Sequence, residues 1–300
     1  MKKLQELIDR LQGQPPKRVA IAQAADEEVL KAVKKASDIG MATFLLTGDV
    51  ESIKQAAHKA ELDLTQPAIT IEGCEAAEAS SKAVKAVKSG DAQVVMKGKV
   101  DTKSLLKAVL NKENGLRGRG VLSHVALFEI PHQERLIFLT DSAMNIAPTL
   151  EEKVQIVKNA VGVAVECGWK MPKVAPLAAV EVINPAMPAT LDAAALTQMN
   201  RRGQITNCII DGPLAFDNAV SKEAASQKSI SSEAAGAADI LMVHSIEAAN
   251  ALYKSFIYFA QAKVAAVISG AEAPIVLTSR SDSAESKLYS LALALNYSTK

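Results

Sequence analysis

Short apolar runs of strand length alternate with longer stretches of helical periodicity along the whole chain. The apolar runs predict strands at residues 19–22, 42–46, 68–71, 93–96, 121–128, 136–139, 174–180, 207–210, 240–243 and 275–278. The periodic stretches predict helices at residues 26–38, 50–60, 74–89, 102–111, 149–167, 187–202, 246–262 and 283–295. Such alternation is typical of βαβ units. It predicts an α/β protein with mainly parallel sheets and helices on both faces of each sheet.

The segment IAPTLEEKVQIV (146–157) indicates a boundary between two domains. Pro148 can stand at a helix start, and Glu151 and Glu152 suit a first helical turn. Ten predicted strands are many for one open sheet. We therefore expect one domain from residues 1–145 together with about 265–300, and a second domain from residues 146–264.

Composition and charge narrow the class of protein. Apolar residues make up 49% of the chain and charged residues 22%, which is ordinary for a globular protein. A net charge of +1 provides no broad positive field for nucleic acid. Cys74, Cys167 and Cys208 are widely spaced, as is typical of reduced thiols in a cytoplasmic protein. The N-terminal MKKLQELIDRLQ carries acids, unlike a signal sequence, and no apolar run is long enough for a membrane span.

Polar and glycine residues follow directly after several predicted strands. The segments are VVMKGKVDT (94–102), IFLTDSAMN (137–145), IIDGPLAFD (209–217), LMVHSIEAAN (241–250) and PIVLTSRSDSAESKL (274–288). Ordinary turns use the same residue types. However, ligands of open parallel sheets bind at the carboxyl ends of the strands, and the repetition favours one shared site. The candidate binding residues at this edge are Lys97, Lys99, Asp141, Asn145, Asp211, His244 and Ser281.

The last of these segments, from residue 279 onward, has the features of an anion site. Asp282 followed by Glu285 resembles a capping box, with Asp282 as the N-cap of the last helix. Free N–H groups at a helix start attract anions, and the guanidinium group of Arg280 can bind a phosphate with two hydrogen bonds. The alternatives are a purely capping role for Asp282 and a surface ion pair for Arg280.

The sequence lacks the motifs that indicate several other kinds of site. There is no Walker A loop, no nucleophile elbow and no paired spacing of His and Cys for a metal ion. The segment GLRGRG (115–120) precedes a strand, and Ser123 stands where a dinucleotide fingerprint that begins at Gly118 needs its third glycine. We therefore expect no metal and no tightly bound cofactor, and the sequence gives no support to a covalent serine or cysteine mechanism.

Taken together, five segments resemble the phosphate acyltransferase family, from about Val94 to the C-terminus. They are KGKVDTKSLLKAVL, LTDSAMNIAPTLEEKVQI, DGPLAFDNAV, AADILMVHSIEAANALYK and LTSRSDSAESKL. The lysine-rich segment 97–103 is more similar to the butyryl branch of this family than to the acetyl branch.

The resemblance implies reversible acyl transfer between coenzyme A and phosphate (butanoyl-CoA + phosphate = butanoyl phosphate + CoA), by direct attack in a ternary complex. It also implies two three-layer αβα domains, similar to the isocitrate and isopropylmalate dehydrogenase fold, with the active site in the cleft between them. The family's reacting Ser-Arg pair matches Ser279 and Arg280. The family's aspartate falls on Ser286 here, so Asp282 and Glu285 are the candidates for the base.

The resemblance further implies small-molecule substrates, with acyl-CoA as substrate and not as resident cofactor, and a homo-oligomer in the cytoplasm. No nucleic-acid or membrane partner is expected.

Phosphate acetyltransferase activity is the first alternative, because one methylene changes the binding free energy by only about 1–3 kcal/mol. A non-catalytic acyl-CoA-binding or regulatory protein is an alternative of another class. A nicotinamide dehydrogenase on a related fold is a third alternative. The absence of a dinucleotide-binding fingerprint argues against it.

Overall fold

Strands and helices alternate along the chain, and the structure, a computed structural model, describes residues 1–118, 120–279 and 282–298. The strands are β1 (Lys17–Ala22), β2 (Ala42–Gly48), β3 (Ile69–Gly73), β4 (Val94–Lys97), β5 (Ser123–Glu129), β6 (Ile137–Thr140), β7 (Lys173–Pro176), β8 (Ile209–Ile210), β9 (Ile240–Met242), β10 (Lys263–Ser269) and β11 (Ile275–Val276). The helices are α1 (Gln5–Asp9), α2 (Glu27–Asp38), α3 (Val50–Lys59), α4 (Ala76–Lys88), α5 (Thr102–Val109), α6 (Leu150–Glu166), α7 (Pro188–Arg201), α8 (Phe216–Val220), α9 (Lys222–Gln227), α10 (Ile246–Tyr258) and α11 (Ala284–Tyr297).

Contacts divide the chain into two units. The N-terminal unit comprises Leu4–Arg119 and Val264–Lys300, and the central unit comprises Gly120–Lys263 and Met1–Lys3. The first change of unit therefore precedes β5, whereas the sequence pattern suggested a boundary near residue 146. The reason is that β5 pairs with β6, and β6 pairs with β9 of the same unit. The predicted domains, residues 1–145 with about 265–300 and residues 146–264, stay a prediction.

The sheet of the N-terminal unit has the strand order β3-β2-β1-β4-β11-β10. Its neighbouring strands are parallel except for the antiparallel pair β10–β11. The central strand β1 is apolar and buried over Val19–Ala22, as expected for a strand covered on both faces. Because β4 and β11 run parallel side by side, the loops after both strands leave the sheet at the same edge.

The central unit contains strands in the order β5-β6-β9-β7-β8. Strands β6, β9, β7 and β8 are parallel, and β5 is antiparallel to β6. Helix α6 follows the loop after β6 and begins with a capping box formed by Thr149 and Glu152. The loops after β6, β8 and β9 therefore leave this sheet at one edge, where the sequence pattern places polar residues.

Aromatic packing anchors α10 on the central unit. Phe128 of β5 meets Tyr253 and Phe256 of α10 edge to face, with ring centres 5.2 Å and 5.1 Å apart. Such pairs contribute about 0.5–1.5 kcal/mol each beyond burial of their surface. The loop that leads into α10 carries His244, so this packing helps to fix its backbone.

The prediction of an α/β fold with mainly parallel sheets is confirmed. Strand β10 and the short helices α8 and α9 were not predicted. The β10 segment KVAAVIS follows the predicted helix 246–262 directly, and its alanines do not separate strand from helix by propensity. In the described part of the chain, no helix is long and apolar enough to cross a membrane.

Candidate active site

The predicted site residues fall at the carboxyl ends of strands in both units. In the N-terminal unit, Lys97 and Lys99 follow β4, while Ser279, Asp282 and Glu285 follow β11. In the central unit, Asp141 and Asn145 follow β6, Asp211 follows β8 and His244 follows β9. Arg280 and Ser281 lie outside the described residues.

A tight turn connects β11 to α11, and Lys287 holds it from within the helix. The Ser279 N–H donates to Asp282 Oδ2 (2.7 Å), and the Asp282 N–H donates to the Ser279 carbonyl oxygen (3.2 Å). Lys287 is 2% exposed, and its ammonium group donates to the carbonyl oxygens of Ser279 (3.2 Å) and Asp282 (2.5 Å). One buried cation thus fixes the backbone on both sides of residues 280 and 281. Its own burial is compensated by these acceptors.

The cap of α11 differs from the prediction. The N-cap is Ser283, whose Oγ accepts from the Ser286 N–H at 3.2 Å, so the prediction of Asp282 as N-cap is wrong. The physical reason is that the Asp282 carboxylate accepts the Ser279 N–H instead. The Oε1 of Glu285 accepts from the Tyr289 hydroxyl at 3.4 Å.

The loop after β4 lies directly against the end of β1. The N–H groups of Gly98 and Lys99 donate to the carbonyl oxygens of Ala22 (2.9 Å) and Gln23 (2.6 Å). A Cβ atom at position 98 would lie 2.1 Å from the Gln23 carbonyl oxygen, so only glycine fits there. Lys97 is buried, with its ammonium group 3.4 Å from the Gly98 carbonyl oxygen.

A cavity of about 580 Å³ opens beside this loop, between α4 and α5. Lys99 and Lys107 line it, and Asp101 caps α5 by accepting the Ser104 N–H at 2.8 Å. Hydrogen bonds from Ser104 lower the pKa of Asp101, which favours its charged form.

Two residues that line this cavity each have a buried side-chain oxygen without a hydrogen bond in the described part of the chain: Ser80 Oγ and Gln23 Oε1. Ser80 is only 4% exposed, and a buried hydroxyl without a partner costs free energy. At the start of α4, the N-cap Glu75 makes no side-chain capping bond. The positive charges of Lys99 and Lys107 suit the cavity to a polar, negatively charged ligand.

In the central unit, Asp141 organises the loop after β6. Its Oδ1 accepts the N–H groups of Ala143 and Met144, each at 3.0 Å, and its Oδ2 accepts from Asn145 Nδ2 at 2.6 Å. Asn145 Nδ2 also donates to the Leu122 carbonyl oxygen at 2.8 Å. Asp141 and Asn145 therefore hold this loop in place, and a contact of either with substrate stays a prediction.

His244 belongs to a group of three polar side chains from three elements. The ammonium group of Lys153, on α6, lies 2.5 Å from Asp192 Oδ2, on α7, and 2.7 Å from His244 Nδ1. The His244 ring nitrogen Nδ1 is 4.0 Å from the same carboxylate oxygen. Burial, and then the positive charge of Lys153, lower the pKa of His244, while Asp192 opposes this shift. His244 is therefore neutral near neutral pH.

Asp211 is held less firmly than Asp141 and His244. Its carboxylate is 3.6 Å from Arg201 Nη2, and both side chains are partly exposed. An ion pair of this kind stabilises a fold weakly, so Asp211 retains freedom to bind a ligand. Among the described residues, no group of His, Cys, Asp and Glu side chains is placed to hold a metal ion.

Sequence reasoning missed Lys287, Lys153, Asp192 and Ser80. A usable signal existed for both lysines, because each occupies the apolar face of its helix. Lys153 shares the helical spacing of Ile156, Val157 and Ala160, and all four are buried. A lysine on an apolar face is seldom buried without a specific partner. Asp192 and Ser80 carry no such signal, since their partners come from other elements.

The chain was compared with known proteins. A family model described as phosphate acetyl/butaryl transferase matches residues 72–295. The chain is 57% identical over 294 residues to a probable phosphate butyryltransferase of Bacillus subtilis, covering 98% of this chain and 97% of that protein. It is 47% identical over 293 residues to a phosphate butyryltransferase of Clostridium beijerinckii, covering 98% and 97%.

Among solved structures, a branched-chain phosphotransacylase from Enterococcus faecalis superposes with a TM-score of 0.81. It shares 37% identity and covers 94% of this chain and 98% of its own. The family match spans most of the chain, and the relatives extend it almost to both ends. The chain therefore belongs to the phosphate acetyl/butaryl transferase family.

Proposed function

We propose that this chain catalyses the reversible transfer of a short acyl group between coenzyme A and inorganic phosphate, with butanoyl-CoA and butanoyl phosphate as the preferred acyl donors. The single observation that carries this proposal is the 57% identity to a probable phosphate butyryltransferase across 98% of the chain. The hydrogen bonds of the buried Lys287 to the carbonyl oxygens of Ser279 and Asp282 support it, because they hold the residues on either side of positions 280 and 281.

The chemistry requires a phosphate oxygen to attack the thioester carbonyl carbon. The C–O bond forms, the C–S bond breaks, and the thiolate of coenzyme A leaves and takes up a proton. In the proposal, Ser279 and Arg280 bind and orient the negatively charged phosphate that attacks. Because the Asp282 carboxylate already accepts the Ser279 N–H, we assign Asp282 to holding the turn. The exposed Glu285 is then the proposed proton carrier.

Acyl-CoA is proposed to place its charged portion in the cavity between α4 and α5. Lys99 and Lys107 supply positive charge there, and the volume of about 580 Å³ suits a part of a large ligand. Coenzyme A is a substrate in this scheme and not a resident cofactor.

The phosphate is proposed to attack acyl-CoA directly, without an acyl-enzyme. Burial raises the pKa of Cys208 to about 11 and also raises the pKa of Cys74, which leaves little thiolate at either position. Cys167 is buried. Initial-rate kinetics should give intersecting, sequential patterns. Parallel lines, or an acylated enzyme trapped for mass spectrometry, would contradict direct transfer.

The experiment that tests the proposed function is release of coenzyme A from butanoyl-CoA with and without phosphate. We expect release only when phosphate is present. A non-catalytic acyl-CoA-binding protein would release none under either condition, and a thioesterase would release thiol without phosphate. Activity only with acetyl-CoA would favour the alternative, a phosphate acetyltransferase.

Three further properties stay predictions from the family resemblance. They are an isocitrate dehydrogenase-like arrangement with the active site in the inter-domain cleft, a homo-oligomeric state and a cytoplasmic location.

A further inference from the structure

We infer that His244 serves as a neutral hydrogen-bond donor to a substrate oxygen through its Nε2–H, and that Lys153 and Asp192 are the positioning residues that fix this tautomer. The inference rests on the proposed function, because the oxygen belongs either to the thioester carbonyl or to phosphate. It excludes His244 as the base that takes the thiol proton of coenzyme A.

The tautomer follows from the chemistry of the partners. A lysine ammonium group has three N–H donors and no acceptor. It lies 2.7 Å from His244 Nδ1, so this ring nitrogen must accept the hydrogen bond and cannot carry a proton. In a neutral imidazole the single proton then resides on Nε2. A protonated Nε2 donates a hydrogen bond and cannot accept a proton.

The opposite arrangement places the proton on the imidazole and leaves a neutral lysine amine. The positions of the carboxylate oppose it. Asp192 Oδ2 is 2.5 Å from the Lys153 nitrogen but 4.0 Å from His244 Nδ1. The carboxylate therefore stabilises positive charge on Lys153 much more than on His244. Lys153 is 2% exposed on its side chain, so its ammonium group is shielded from competing water.

The placement of His244 makes its second ring nitrogen available to a ligand. His244 follows β9 at the carboxyl edge of parallel strands, the usual ligand edge of such sheets. The neighbouring Val243 N–H donates to the Thr140 carbonyl oxygen at 2.8 Å, which joins this loop to the end of β6. The His244 side chain remains 39% exposed, and its contacts in the described part of the chain involve Nδ1 alone.

Two amide replacements separate a donor from a base. In His244→Gln the amide nitrogen can take the position of Nε2 and donate, although it cannot accept a proton. In His244→Asn the shorter side chain puts its amide near the position of Nδ1, so it serves as the matched control. We expect His244→Gln to keep kcat/KM within a few-fold of the parent. His244→Asn and His244→Ala should lose about 10-fold to 100-fold, as for a lost hydrogen bond to a charged or polarised oxygen.

The kinetic constants then identify the oxygen. A rise in KM for phosphate in His244→Asn assigns the donor to phosphate, whereas a fall in kcat or a rise in KM for butanoyl-CoA assigns it to the thioester. Equal losses in the Gln, Asn and Ala variants would overturn the donor role, because they are the pattern of a lost base. Unchanged activity in all three would remove His244 from the substrate site.

Nitrogen-15 NMR of the histidine rings tests the tautomer without reference to activity. The His244 signals are assigned by their loss in His244→Gln. We expect an unprotonated Nδ1 and a protonated Nε2 in the parent at neutral pH, and a mixture of tautomers in Asp192→Asn or Lys153→Met. A protonated Nδ1 in the parent would overturn the inference. If the parent shows the expected tautomer but transfers no acyl group to phosphate, the proposed function fails and the tautomer assignment stands.

Discussion

The ammonium group of Lys287 lies 3.2 Å from the carbonyl oxygen of Ser279 and donates a hydrogen bond to it. The same ammonium group donates to the carbonyl oxygen of Asp282, so one buried side chain fixes both ends of a short turn. This turn carries the Ser-Arg pair at positions 279 and 280, to which the proposal assigns phosphate binding.

Replacement of Lys287 by methionine should therefore impair activity through the turn. Two carbonyl oxygens lose their donor, so we expect kcat/KM for phosphate to fall by about 10-fold or more and the free energy of unfolding to fall by about 1–3 kcal/mol. Lys287→Arg keeps a cationic donor and should retain more activity. The measurement is phosphate kinetics with a thermal melt. A Lys287→Met enzyme with unchanged phosphate kinetics would show that the turn needs no such support.

Arg280→Lys tests the phosphate clamp. Lysine keeps the charge but loses the two-pronged donor, so we expect kcat/KM to fall by about 10–1000-fold with a nearly unchanged Tm. Near-normal activity would remove Arg280 from phosphate binding. An inactive variant with a strongly lowered Tm would instead assign Arg280 to the fold.

Ser80→Ala should act in opposite directions on stability and on substrate binding. The Ser80 hydroxyl is buried without a partner in the described structure, so its removal should raise the free energy of unfolding by about 1 kcal/mol. If the cavity binds acyl-CoA, KM for butanoyl-CoA should rise several-fold at the same time.

Ser37→Ala is the matched control for this prediction. Ser37 Oγ is likewise buried without a partner among the described residues, but Ser37 does not line the cavity. It should show the gain in stability with unchanged KM. An unchanged KM in Ser80→Ala as well would place acyl-CoA elsewhere.

Acid should destabilise the fold in part through His244. Burial and the nearby Lys153 lower its folded-state pKa below 6.5, so below this pH the unfolded chain takes up a proton that the folded chain resists. This contribution to stability is complete above pH 6.5 and is lost as the pH falls below that value. The unfolding free energy of the parent should therefore decrease more than that of His244→Gln between neutral and mildly acidic pH. Parallel curves would mean that His244 titrates normally.

The sequence predicted every strand of the described structure except β10, and it predicted that polar residues follow the carboxyl ends of the strands. It predicted these well because strand burial and βαβ alternation are local properties of the chain. The cap of α11 was misplaced by one residue, because the Asp282 carboxylate bonds to Ser279 and not to the helix start. Local pattern rules cannot distinguish these two acceptors for one side chain.

The buried polar contacts could not be predicted from the sequence, for a different reason. Lys153 and Asp192 are far apart along the chain, and only the packing of α6 near α7 brings them together. The segment AADILMVHSIEAANALYK, which resembles the family, contains His244 but gives no information about the protonation of its ring. That information depends on a distance of 2.7 Å between two side chains.

The most direct test of the central claim is phosphorus-31 NMR of one mixture that contains the protein, phosphate, and equal amounts of butanoyl-CoA and acetyl-CoA. We expect an acyl phosphate signal to appear and butanoyl phosphate to form faster than acetyl phosphate. Acetyl phosphate formed as fast or faster would contradict the butanoyl preference and leave the family assignment intact. A mixture in which no acyl phosphate forms would contradict acyl transfer to phosphate itself.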